Sequence, residues 1–438
     1  MFDPWFVLAF MFGLIVVLLS MGIPVVFSFI VTNFVGSIMF LGGEVGIIQA
    51  LRNLRVGAPQ YSLVPIPLFV LMGEIMLHSG MAKRAIDAID RLIASIPGRL
   101  SIVAVLAGTI FATLSGSSVA NAAVVGRTLI PEMRKKGYSS LMTIGPVTAV
   151  GGIAVLIPPS AMAVMVGSLG RIPLNELLLS GIVPALLMML FYLAYIVIRC
   201  TINPSLAPRY DTEKLTLRER LAPALIYVLP LGGIFVAVIG SMMAGIATPT
   251  EASALGVIAS AIAGLLYRSL NGKVLVDSLV GTVKFSAMIL FIICNAATFS
   301  QILAFTGATQ AVTNFFVQGD VSHMTVVWVM LGFFIVLGCF MESAAIVMLL
   351  FPVFMPVVYA MGIDLVWLGI LVMVALELGL LTPPFGMLLF VVKGILGNQY
   401  TDFEIYKSVL PFIVMQVVVL LLILFNPGIL HWVLGLIQ

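Results

Sequence analysis

The sequence predicts an all-α polytopic membrane protein, an inverted repeat of about ten transmembrane helices plus two re-entrant helical hairpins. Three observations predict it. First, 62% of the 438 residues are hydrophobic and 9% are charged, with a mean hydropathy of +1.22. Runs of about 20 apolar residues, the length that spans a bilayer core, recur from end to end. Second, two apolar stretches, 99–133 and 324–359, are interrupted midway by SGSSVAN (115–121) and GCFMES (338–343). Third, Pro158-Pro159 and Pro383-Pro384, Pro131 and Pro356, and Gly137 and Gly362 all stand 225 positions apart.

In chain order, apolar spans cover 5–21, 23–41 and 63–81. The basic segment 83–97, KRAIDAIDRLIASIP, is amphipathic and is expected to lie on the inner membrane surface. The 35 residues of 99–133 fall short of the roughly 40 that two crossings need, so they read as a hairpin that enters, turns and leaves on one side. Irregular backbone survives at membrane depth only where it faces protein or a water-filled cavity. Spans 139–168 and 176–199 follow, and the charged segment 201–222 links the first unit, 1–200, to the second, 223–438. The second unit holds spans 223–243, 250–267 and 277–306, the hairpin 324–359, and spans 366–396 and 405–426.

Positive charge orients the chain. With both stretches counted as hairpins, Arg99, Arg134, Lys135, Lys136, Arg199 and Arg268 fall on one side, which is expected to be cytoplasmic. Arg52, Arg55 and Arg171 fall on the other, with both termini. Five crossings per unit is an odd number, so the second unit is expected to be inverted. Inverted repeats with broken helices are the signature of secondary transporters that bind substrate near the midplane.

Other classes are excluded. A β-barrel would show short alternating segments. Cys200, Cys294 and Cys339, and His78, His323 and His431, are scattered, with no disulfide framework and no zinc or haem spacing. No Ser/His, Asp/Asp or metal-ligand set recurs at helical spacing, so an enzyme is not expected. A nucleic-acid partner is not expected either. The start, MFDPWFVLAF, lacks the basic region of a secretory signal, and the first helix is expected to be retained.

The breaks have a chemistry. Glycine and serine let the hairpin tips turn, and prolines inside 139–168 and 366–396 free carbonyls one turn earlier. Freed carbonyls suit Na⁺, and freed N–H groups at helix N-termini suit a carboxylate. Candidate substrate-binding residues are therefore Ser117, Ser118, Asn121, Arg127, Ser160, Glu342, Ser343 and Glu377. Each has a plainer reading. The small residues of the first tip also suit close helix packing. Arg127 can snorkel to the cytoplasmic edge or pair with an acid or substrate carboxylate. Glu377 and Glu342 sit at membrane depth, where an acid is costly, and serve either the site or a structural pair. Glu74 suits a helix–helix hydrogen bond. Thr248, Pro249 and Glu251 read as a helix-capping box.

IPLFVLMGEIM (66–76), SGSSVANAAVVG (115–126), IPEMRKKGY (130–138), IPPSAM (157–162), GIATPTEASALG (245–256) and LGLLTPPFGMLLFV (378–391) resemble the large membrane subunit of tripartite ATP-independent periplasmic (TRAP) transporters. The resemblance covers nearly the whole chain. It implies elevator-type import of a small organic acid across the cytoplasmic, or inner, membrane of a bacterium or archaeon, driven by a Na⁺ gradient. It also implies two partners, a small four-helix membrane subunit and a periplasmic substrate-binding protein. Carried over by motif, one sodium would be held by Ala112, Ser115, Ala154, Ile157 and Pro159, and a second by Gly338, Met341, Gly379 and Thr382. The sequence departs from the family at Ala154, where glycine is usual, and at Arg127 and Glu377, which bear on substrate choice. The alternative is a stand-alone Na⁺/carboxylate symporter of similar hairpin architecture.

Overall fold

The computed structural model describes residues 2–57, 63–93, 96–208, 216–430 and 435, and all regular structure within them is helical. Among the described residues, six helical stretches are long and apolar enough to cross a membrane singly, and shorter apolar helices accompany them. The chain is thus a multi-pass membrane protein.

Helix starts follow local chemistry. Pro4 occupies the first turn of α1 (Pro4–Ser20), where its missing N–H costs nothing, and the Asp3 side chain caps it by accepting from Trp5 N. Thr248 and Glu251 form the anticipated capping box of α14 (Pro249–Leu266). The same Thr-x-x-Glu device caps α21 (Asp402–Phe425).

Element starts repeat along the chain. Helix α13 (Leu229–Met243) begins 225 residues after α1. The interval is also 225 from α7 (Ser118–Lys135) to α18 (Ser343–Met361), and from α8 (Ser140–Gly151) to α19 (Leu365–Leu381). It is 224 from α6 (Arg99–Ser115) to α17 (His323–Gly338), and 226 from α9 (Ala161–Leu169) to α20 (Met387–Leu396). One stretch differs. Helices α3 (Glu44–Gly57) and α4 (Pro65–His78) correspond to the single helix α15 (Gly272–Phe305). The first version carries Pro59, Pro65 and Pro67, whereas α15 has no proline to end it.

The helices form two layers. One gathers α6–α9 and α17–α20 around α19, with α11 (Ile182–Ile202) and α21 packed alongside. Helix α19 is apolar all round and buried on nearly every face, as a central helix must be. The other layer places α4 against α14 and α15, with α2 (Val25–Phe40) and α3 along α15. Glu74 of α4 is 3.0 Å from His78 in an i,i+4 pair and packs on Gly281 of α15. The helix–helix hydrogen bond expected for Glu74 is not seen among the described residues: its partner is on its own helix, and across the interface it meets a glycine.

The breaks fall where glycine, serine and proline lie. Helices α6 and α7 part at Gly116–Ser117, and α17 and α18 at 339–342. Helices α8 and α9 part over 152–160, and α19 and α20 over 382–386. The basic amphipathic segment forms α5 (Met81–Leu92), while residues 94 and 95 lie outside the described residues. So do 209–215 of the linker, which is flanked by α11 and by α12 (Leu217–Pro223). Three helices were not anticipated: the short α12 in the stretch read as linker, and α3 and α16 (Ala308–Gln318), both polar enough to escape a search for apolar runs.

Candidate functional site

At the first tip, Gly116 adopts φ 56°, which only glycine takes without strain. Its N–H donates to Ala112 O at 3.2 Å. Ser117 then starts α7 as its cap, the Oγ accepting from Ala120 N. A methyl group on Gly116 would lie 2.8 Å from Pro159 O, so this tip rests on the break between α8 and α9. The second tip repeats the arrangement. A methyl on Gly338 would lie 2.7 Å from the Gly379 Cα, so the end of α17 rests on the end of α19.

These two contacts fall among the motif-derived sodium residues. Ala112 and Ser115 lie in the last turn of α6, just before Gly116, which meets Pro159, and Ala154 and Ile157 lie in the same break as Pro159. Gly338 abuts Gly379, while Met341 lies in the turn and Thr382 opens the second break. The carbonyls of Ala112 and Gly379 each accept one backbone hydrogen bond, from Gly116 and Thr382. Each keeps a second lone pair. The Thr382 hydroxyl donates to Leu378 O at 2.6 Å. Such a set offers main-chain and hydroxyl oxygen, the donor type that hard cations take.

The expected substrate residues separate into distinct environments. Ser118 donates to Glu377 Oε1 at 2.7 Å, joining the first hairpin to the broken helix of the second unit. Both residues are buried, Glu377 completely. Ser118 is the first residue of α7, so the carboxylate meets the positive end of that helix. Asn121 lines no opening. It is fully buried, and its Nδ2 donates to Val150 O at 3.0 Å, clipping α7 to α8. Ser160 is buried as the cap of α9, accepting from Ala163 N at 3.1 Å. Ser343 is buried at the second tip, its Oγ without a partner among the described residues, and Glu342 before it is partly buried at the cap position of α18. Arg127 lies apart. It is exposed on α7, ten residues beyond Ser117 or roughly 15 Å along the helix.

Sequence reading missed one cavity. A space of about 720 Å³ opens between the α9–α10 turn, α15 and α18, where α10 is Leu174–Ser180. Its polar wall includes Ser168, Arg171, Ser300 and Tyr359. Arg171 is held at φ 45°, and Tyr359 anchors the turn by donating to Gly170 O at 2.8 Å. The available signal was Arg171 itself, one of few basic residues on its expected side. The volume suits a small molecule. The cavity lies between the two layers, with the end of α9, the turn after it and α18 on one wall and α15 on the other.

A family model described as the DctM component of tripartite ATP-independent periplasmic transporters matches residues 12–429. The chain belongs to this family. DctM proteins are transporter permeases, not enzymes. Among curated relatives, the C4-dicarboxylate TRAP transporter large permease protein DctM of Pseudomonas aeruginosa is 34% identical over 84% of this chain and 85% of its own length. The protein of the same name from Rhodobacter capsulatus is 31% identical over 95% of this chain and 96% of its own. The 2,3-diketo-L-gulonate TRAP transporter large permease protein YiaN of Escherichia coli is 28% identical over 93% and 94%. Among solved structures, the YdaH transporter of Alcanivorax borkumensis superposes with a TM-score of 0.57 at 14% identity, over 89% of this chain and 90% of that one. That likeness extends the fold beyond the DctM family.

Proposed function

We propose that this DctM chain imports a small carboxylate by an elevator mechanism driven by Na⁺. Its partners are a small membrane subunit and a periplasmic protein that delivers the substrate. The observation that carries the reading is the doubled contact of tip on break, Gly116 on Pro159 and Gly338 on Gly379. The first contact sets the hairpin tip beside a main-chain oxygen of the break, and the second sets the end of α17 against the end of α19. Sodium bound at both would hold each hairpin to its broken helix, so the ions stabilise one compact unit that moves as a body. The constant element spacing supports duplication, and the odd number of crossings expected per unit supports inversion.

The substrate class rests on Arg171 in the cavity wall, whose lining residues include no acidic one, since the start of α7 already meets Glu377 and that of α18 carries Glu342. Helix N-termini at α7 and α18 face the tips, and the cavity wall carries Arg171. Arg171→Gln is expected to raise the substrate concentration for half-maximal uptake roughly ten-fold, the loss of one charge-assisted hydrogen bond. Expression and assembly with the small subunit should be unchanged. Equal half-saturation would remove Arg171 from the substrate route.

Coupling is tested in proteoliposomes that contain both membrane subunits and receive loaded binding protein outside. Uptake is expected with an inward Na⁺ gradient and should respond to membrane potential. Full uptake driven by protons in sodium-free buffer would overturn the sodium assignment. Equal uptake without the binding protein would favour a stand-alone symporter.

A further inference from the structure

The cavity between the two layers offers one charged side chain to a ligand. Arg171 stands in the turn after α9, exposed and at φ 45°, a conformation that a non-glycine residue keeps only where its surroundings fix it. Tyr359 of α18 supplies that support, its hydroxyl donating to Gly170 O at 2.8 Å. The guanidinium is thus carried by a braced turn on one wall of the cavity. Its planar fork matches a carboxylate through two parallel hydrogen bonds.

The rest of the wall does not repeat that match. Among the described residues, no lysine, histidine or second arginine lines the cavity. Opposite the turn, α15 presents Ile293, Ala296, Ala297 and Ser300, none of them charged. On the near wall, the Tyr359 hydroxyl already donates to Gly170 O, and the Ser168 Oγ is sealed from solvent. The larger side chains there, Ile172, Leu174, Phe351 and Met355, are apolar. The space of about 720 Å³ is in the range that encloses drug-sized ligands, more than a short dicarboxylate such as succinate fills. A ligand long enough to touch both walls, held by one carboxylate on Arg171, sets its far end against α15. A second carboxylate at that end would be desolvated without a charged partner, which is strongly disfavoured.

Given that this cavity lies on the substrate route, as proposed above, we propose that it selects a monocarboxylate with an uncharged body and rejects a dicarboxylate of the same length. Arg171 holds the carboxylate, and the α15 wall around Ala297 limits the charge allowed at the far end. Specificity here is a difference between two affinities, set by a missing partner for the wrong ligand.

The test is isothermal titration of the purified complex of both membrane subunits in NaCl, with ligands that share a carbon skeleton. Sorbitol carries no carboxylate, gluconate one and glucarate two. Gluconate is expected to bind about ten-fold or more tighter than glucarate, the effect of one carboxylate left without its charged partner. Hexanoate against adipate repeats the comparison on an apolar skeleton and should give the same order. Dicarboxylates that bind as tightly as their monocarboxylate partners would overturn the preference and leave the carboxylate reading in place. Sorbitol binding as tightly as gluconate, or no binding by any of the acids, would overturn both. Ala297→Lys, at an exposed position of the far wall, adds a second cation. It is expected to raise glucarate affinity roughly ten-fold and to leave gluconate affinity unchanged. An unchanged ratio in a variant that assembles would contradict the assignment of α15 to the far end. If the variant does not assemble, the wild-type ratios decide.

Discussion

Gly379→Val will reduce uptake below detection. The Cβ of any residue at 379 would fall 2.6 Å from the Gly338 Cα and 3.1 Å from both its carbonyl carbon and Ile335 O. These are backbone atoms of a packed helix end and cannot rotate away. Even one added methyl in such a contact costs roughly 1–3 kcal/mol, and valine adds three carbons. The second tip must leave its break, and with it the oxygens of Gly338 and Thr382 part from one another. Gly338→Ala should produce the same defect, since its Cβ meets the Gly379 Cα at 2.7 Å. Gly332, on the same helix with open space around its Cβ position, is the control. Gly332→Ala should transport normally and gain roughly 0.5–1 kcal/mol of helix stability. The readouts are uptake and melting of the two-subunit complex. Normal uptake by Gly379→Val would show that the close contact has no part in transport.

Ser118→Ala will impair the protein more than the loss of one hydroxyl suggests. It leaves a fully buried Glu377 carboxylate without its only hydrogen-bond donor among the described residues. Hydrogen bonds to charged groups contribute about 1.5–3 kcal/mol, and this one spans 259 residues of sequence. A double-mutant cycle with Glu377→Gln isolates the pair. The double variant is expected to be less impaired, in both melting and uptake, than the sum of the single changes. Additive losses would mean that the two side chains do not act together.

These two sites differ in how far the sequence revealed them. The breaks were legible because their causes are local. Gly116, Ser117 and the two Pro–Pro pairs interrupt helices wherever they stand, and the turn at 339–342 falls inside the stretch read from 338 to 343. The duplication was legible because proline and glycine positions outlast apolar ones. The partner of Glu377 was not, because nothing local specifies a serine in the other unit. The packing of Asn121 was hidden for the same reason. An amide at a hairpin tip reads as a ligand, and only packing reveals Val150 O as its acceptor. Arg127 drew notice as a charge in an apolar helix, yet its exposure depends on which face of α7 turns outward. The Arg171 cavity is built from three elements far apart in sequence and has no linear signature.

The account rests most heavily on two hairpins that enter from opposite sides of the membrane to meet in one layer. The base of the first is marked by Lys135 at the end of α7, and the base of the second by His323 at the start of α17, both exposed. Lys135→Cys and His323→Cys should be labelled by a membrane-impermeant thiol reagent from opposite faces, Lys135 from the cytoplasm and His323 from outside. The native Cys200, Cys294 and Cys339 are buried and should give little background. Labelling of both positions from the same face would contradict the inverted arrangement and the paired sites built on it.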